Sequence, residues 1–161
     1  ITPMTPYITS SYPDKISCRS FVDQAAGSSQ TIVVTGGEPL MWDMSPLTAK
    51  LKLKGMQTHI ETSGAYKLTG DWDWICLSPK KLKTPLKEIY LKAHELKVIV
   101  YNLDDLRFAE EQASKVNSNC ILYLQPEWSK RDKVMPFIVE YVMKHPKWKV
   151  SLQTHKYLNI P

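Results

Sequence analysis

Five short clusters in this 161-residue chain carry the side chains best suited to hold a polar ligand. The first is Thr35-Gly36-Gly37-Glu38-Pro39. Paired glycines accept positive φ and let a ligand approach the backbone closely, exposing amides or carbonyls to it. Glu38 sets a carboxylate beside that backbone, suited to an ammonium group, and Pro39 stiffens the exit. On its own the cluster also reads as a tight turn with a solvated glutamate. The second, Glu61-Thr62-Ser63-Gly64, is a polar shelf or, read alone, a cap or turn. The third, Ser78-Pro79-Lys80, holds a lysine where it can pair with a carboxylate, and Lys97 is a further candidate. In isolation both lysines read as surface residues. The fourth is Leu124-Gln125-Pro126-Glu127 and the fifth Gln153-Thr154-His155-Lys156. Their glutamines donate and accept, which suits the amide edge of a heterocycle. No catalytic acid, base or nucleophile is identifiable. His59 and His94 read as packing or surface residues, and His145 lies near a helix end, where a cation is favoured.

The elements that must position these clusters are legible too. Ile32, Val33 and Val34 form a continuous β-branched run, which suits a buried parallel strand. Further strands are predicted over 58–62, 74–77, 96–101, 121–124 and 150–153. Ser45 before Pro46 reads as a helix cap, with Leu47 and Leu51 on the inner face and Gly55 as the stop. Asn102 reads as the cap of a helix whose inner face is Leu106, Ala109, Ala113 and Val116. A helix over 131–144 turns Val134, Phe137, Ile138, Tyr141 and Val142 inward. Residues 1–17 read as an irregular arm, and Phe21, Val22, Ala25 and Ala26 as the end of a short helix closed by Gly27. The domain reading is therefore an arm with a helix end over 1–29 and one domain over 30–161. Alternating strands and helices with short connections predict an α/β fold around a parallel sheet. Ligands of such sheets sit at the carboxyl ends of the strands, where all five clusters fall.

Composition narrows the class. Hydrophobic residues are 43% and charged residues 23%, the balance of an ordinary globular protein. No apolar run approaches the ~20 residues of a membrane helix, and no signal peptide is visible, so no membrane association and a cytoplasmic location are expected. The net charge is +5. The lysines are scattered and no arginine-rich stripe interleaves with aromatics, so nucleic-acid binding is not expected. Cys18, Cys76 and Cys120 are an odd, widely spaced set that matches neither a disulfide framework nor a metal motif. Cys76 and Cys120 are assigned to predicted strands and read as core. The chain does not begin with methionine, and it is expected to be a processed, truncated or gapped form of something longer.

Val34-Thr35-Gly36-Gly37-Glu38-Pro39-Leu40 resembles the glycine-glycine-glutamate-proline motif of radical S-adenosylmethionine (SAM) enzymes. Ile60-Glu61-Thr62-Ser63-Gly64, Leu77-Ser78-Pro79-Lys80, Glu95-Leu96-Lys97-Val98, Tyr123-Leu124-Gln125-Pro126 and Ser151-Leu152-Gln153-Thr154-His155-Lys156 narrow the resemblance. In this order and spacing they look like 7-carboxy-7-deazaguanine synthases, from about residue 30 to 161. The resemblance implies a partial (β/α) barrel, incomplete here at its N-terminal side. It implies conversion of 6-carboxy-5,6,7,8-tetrahydropterin to 7-carboxy-7-deazaguanine with loss of ammonia, using SAM, a 4Fe–4S cluster and Mg²⁺. It implies a reductant such as flavodoxin and a homodimer. By resemblance Gly36, Gly37 and Glu38 hold the methionine part of SAM, and Glu61, Thr62, Ser63 and Ser78 face SAM and the substrate next to it. Lys80 suits a carboxylate on either ligand. Gln125, Gln153 and His155 are candidates for the remaining ligand contacts. A terminal carboxylate on Pro161 would accept from the pterin amino edge.

The chain departs from the family in one respect. The family's Cys-x3-Cys-x2-Cys loop and the acidic-threonine pair serving Mg²⁺ are absent before Gln30, and Cys18 has no partners at that spacing. Metal ligands are therefore not expected within these residues. A cluster-less SAM- or pterin-binding relative, or an activase-type radical SAM protein, is the alternative.

Overall fold

In β2, β3 and β5 alternate residues are buried and their neighbours half-exposed, and this period of two decides which face of the sheet meets the helices. The computed structural model describes residues 7–8, 22, 27 and 29–159. Among them one sheet runs in chain order: β1 (Tyr7–Ile8), β2 (Thr31–Val34), β3 (Gln57–Thr62), β4 (Trp74–Leu77), β5 (Glu95–Val100), β6 (Ile121–Pro126) and β7 (Trp148–Val150). Every neighbouring pair is parallel. β1 and β7 are edges, so the sheet is unclosed among the described residues. The helices are α1 (Ser45–Leu53), α2 (Lys87–Lys92), α3 (Asp104–Ala113), α4 (Arg131–Lys144) and α5 (Thr154–Tyr157).

Parallel strands laid in chain order by right-handed crossovers put their connecting helices on one face. Accordingly α1 packs on β3, α2 on β4, α3 on β5, and α4 on β6 and β7. The covered face is apolar. Ile60, Leu77, Leu96, Val98 and Leu124 are buried there with Ile89, Ala109 and Ile138 from the helices. Ile32 forms a second cluster with Leu51, Met56 and Val22. Strand register places Val33, His59, Glu61, Cys76, Glu95, Lys97 and Tyr123 on the opposite face, which is largely polar. No helix among the described residues is long and apolar enough to cross a membrane.

Glu110 ties the last strand to this frame. It accepts from Tyr141 Oη at 2.7 Å and Trp148 Nε1 at 2.8 Å, and pairs with Lys147. Burial together with the Glu110 carboxylate pushes the Tyr141 phenol up to about 12.

Several elements differ from the sequence reading. Tyr7–Ile8, within the presumed arm, pairs with β2 as an edge strand. Gly27 is itself helical rather than a stop. Met44 occupies the cap of α1 without a side-chain cap bond, so Ser45 is the first helical residue and not its cap, and its amide donates to Asp43 Oδ1 at 3.0 Å. Leu103 caps α3, with Asn102 Oδ1 accepting from the Asp104 amide at 3.0 Å. Phe137 is exposed, because α4 turns Val134 and Ile138 to the sheet. The last strand is 148–150 and not 150–153. Trp148, fully buried, anchors it, and the chain bends into α5 after Ser151 donates to Leu124 O. Helices α2 and α5 had no counterpart in the sequence reading, being too short to show a period.

Candidate functional site

The predicted clusters occupy the carboxyl ends of β2, β3, β4, β6 and β7, one rim of the sheet. Immediately after β2, Gly36 and Gly37 take φ of 88° and 47°. That left-handed pair is strained for any residue with a Cβ. The chain then enters a short 3₁₀ turn, Pro39–Met41, capped by Glu38.

Glu38 joins two of the clusters. Its Oε1 accepts from Thr62 Oγ1 at 2.5 Å and from the Leu40 amide at 3.2 Å. Its Oε2 accepts from the Ser63 amide at 2.8 Å and from the Ser63 hydroxyl. A carboxylate has about four lone-pair positions, and protein donors take all four. The carboxylate therefore braces the glycine loop against the β3 exit, and the Gly36–Gly37 backbone is the part of the motif left to a ligand. Thr62 Oγ1 passes the network on by accepting from the Gly64 amide at 3.0 Å. Spacing alone carried no signal of this bond across 24 residues.

Ser78, buried after β4, donates its amide to Thr62 O at 2.8 Å. Lys80 Nζ donates to Ser78 Oγ at 3.4 Å, while its backbone opens a hairpin turn that bridges to Lys83. Lys80 is exposed. The better-enclosed lysine is Lys97, whose side chain is 13% exposed and pairs with Glu61 Oε1 at 2.8 Å. Burial pulls the Lys97 ammonium down, but the negative groups around it, the Glu61 carboxylate in direct contact, outweigh burial and hold it above its ordinary 10.5. Cys76, between the two strands that carry this pair, is buried, and burial pushes its thiol well up, away from reactivity. Lys97 is thus no surface lysine. It lies on the sheet face opposite the helices, where an enclosed charge requires a partner, and the residue type alone carried no signal of that.

Lys97→Met alone should destabilise the protein by about 2 kcal/mol in chemical denaturation, since it leaves Glu61 half-buried without its partner. The Glu61→Leu/Lys97→Met double variant should return close to the parent value.

Gln125, also buried, accepts from Ser151 Oγ at 3.1 Å. Gln153 precedes α5, and its carbonyl accepts the Lys156 amide at 2.9 Å. His155 lies within α5, partly buried. This second group is separated from the first by β5. Pro161 lies outside the described residues, as does Cys18. A cavity of about 600 Å³ opens at the opposite, amino ends of β4–β6 and is lined by Trp74, His94 and Asn117 rather than by any predicted site residue. In an open parallel sheet, strand carboxyl ends and not the size of a hollow mark the ligand side.

An iron–sulfur cluster does not fit the donors present among the described residues. Cys76 and Cys120 are both buried, and no group of three His, Cys, Asp or Glu is placed to hold a metal among the described residues. SAM does fit, because the paired left-handed glycines and the polar shelf present backbone and hydroxyl groups on one rim.

No family model matches the chain. A curated 7-carboxy-7-deazaguanine synthase from Flavobacterium psychrophilum is 66% identical over 87% of this chain and 67% of the relative. Its counterpart from Synechocystis is 50% identical over 80% and 62%. That from Prochlorococcus marinus is 33% identical over 91% and 75%. The crystal structure of QueE from Escherichia coli aligns with a TM-score of 0.75 at 26% identity, covering 85% of this chain and 64% of that one. The chain therefore spans roughly three-fifths to three-quarters of the length of these relatives.

Proposed function

The chain belongs to the 7-carboxy-7-deazaguanine synthase family, and from that premise we propose that the complete protein converts 6-carboxy-5,6,7,8-tetrahydropterin to 7-carboxy-7-deazaguanine with loss of ammonia. It would do so as a radical SAM carbon–nitrogen lyase with a partial (β/α) barrel. The observation that carries the proposal is the Glu38 brace, which makes the Gly-Gly-Glu loop and the Glu-Thr-Ser-Gly shelf one rigid rim. Rigidity there matters because a reacting group must be held to within a fraction of an ångström.

On this reading the Gly36–Gly37 backbone holds the methionine part of SAM, positioned by Glu38. Glu61 and Ser63 face SAM and the neighbouring pterin, with Thr62 and Ser78 fixing the shelf from beneath. Lys80 meets a ligand carboxylate. Gln125, Gln153 and His155 take the polar edge of the pterin, joined by a terminal carboxylate if Pro161 ends the chain. SAM, when bound at a cluster in the complete protein, supplies the radical that abstracts a substrate hydrogen. The cluster cysteines and the Mg²⁺ ligands would come from sequence outside these 161 residues. A flavodoxin-class reductant, a homodimer and a cytoplasmic location complete the proposal.

The lack of cluster ligands in this stretch favours one competing reading, a SAM- or pterin-binding relative without redox chemistry. The two separate on intact mass and anaerobic iron and sulfide analysis of the complete expressed protein. A mass well above 18.5 kDa with about four irons per chain is expected. An 18.5 kDa protein that takes up no iron would leave the binding reading in its place.

A further inference from the structure

We propose that Trp128 is a positioning residue that clamps the C-terminal segment onto the carboxyl rim of the sheet. Two contacts join the exit of β6 to that segment in the same order along both. Gln125 accepts from Ser151 Oγ at 3.1 Å. Between them Glu127 Oε2 accepts from Ser129 Oγ at 2.5 Å, which fixes the turn that presents Trp128. Trp128 receives the Tyr157 ring edge-on, with centroids 5.1 Å apart and planes at 82°. The Trp128 ring is also flanked by two cations, with Arg131 Cζ at 4.3 Å and Lys156 Nζ at 5.2 Å from its centroid. Arg131 Nη1 in addition donates to Trp128 O at 3.0 Å, which ties the Trp128 backbone to the start of α4.

The clamp answers a physical need. Helix α5 has four residues and no side-chain cap bond, and a helix that short has no stability of its own. Its place must be set by side chains reaching outward, and an edge-on aromatic pair with cation–π contacts is of the required strength. Gln153 and His155 sit at and inside this helix, so the clamp fixes both. The consequence for catalysis rests on the reading above, in which they contact the pterin.

The test uses the complete protein carrying Trp128→Ala or Tyr157→Ala, the second leaving the sheet untouched. Limited trypsin digestion followed by mass spectrometry reads cleavage after Lys156. Both variants should be cut there about tenfold faster than the parent, with the double variant no faster than either. In turnover assays KM for the pterin should rise about tenfold, with kcat changed much less. Unchanged cleavage in both variants would overturn the clamp. Faster cleavage with an unchanged KM would overturn its positioning role. A protein with no synthase activity would count against the proposed function alone, because the digestion readout needs no turnover.

Discussion

Glu38→Gln should lower kcat/KM of the complete enzyme by about a hundredfold while leaving it folded. The substitution keeps the shape of the side chain but turns one acceptor into a donor. Oε1 and Oε2 each receive two N–H or O–H donors, so either orientation of the amide sets an NH₂ group against two of them. A buried donor left without an acceptor costs about 1–3 kcal/mol, and the glycine loop can relieve that only by moving off the β3 exit. A displacement near 1 Å at a reacting site is enough for about a 10²-fold loss. Steady-state kinetics with SAM and the pterin make the check, with circular dichroism as the control for folding. Full activity would show that the brace is dispensable and that a ligand contact elsewhere holds the loop.

Gly64→Val should be the most damaging single change to stability on this rim. Gly64 has φ of 75°, where a β-branched residue is strained. A Cβ there would lie 2.7 Å from Leu77 Cδ1 and 2.9 Å from Pro85 Cβ. Leu77 is fully buried and cannot swing away, and Leu86 donates its amide to Gly64 O at 2.8 Å, pinning the backbone. Left-handed strain of about 1–2 kcal/mol and overpacking of about 1–3 kcal/mol together predict a loss of about 4 kcal/mol. In thermal unfolding that is a fall of roughly 10 °C or more. A shift within a degree or two would mean that the turn has room the geometry denies.

Much of this architecture was legible in the chain. The apolar runs at Ile32–Val34 and Val98–Val100 marked buried parallel strands, and the stripe from Val134 to Val142 marked a helix against the sheet, although its Phe137 proved exposed. The polar clusters at strand ends marked the rim. Three things were not legible, each for a physical reason. Glu38 meets Thr62 and Ser63 through β2–β3 register, and register is a tertiary property. Lys97 carries the same residue type as a surface lysine, and only its inward-facing place in β5 makes it a paired interior charge. Helix α5 is defined by the side chains that hold it and not by its own propensity, so the polar string Gln153-Thr154-His155-Lys156 offered no period to detect.

Turnover tests the central claim most directly. The complete protein, reconstituted anaerobically with iron and sulfide, would be incubated with SAM, Mg²⁺, a reductant and 6-carboxy-5,6,7,8-tetrahydropterin, and the products read by mass spectrometry. Formation of 7-carboxy-7-deazaguanine with release of ammonia, slowed about a hundredfold in the Glu38→Gln variant, is the predicted result. SAM cleavage without that product, or no cleavage by a protein that holds its full complement of iron, would contradict the account.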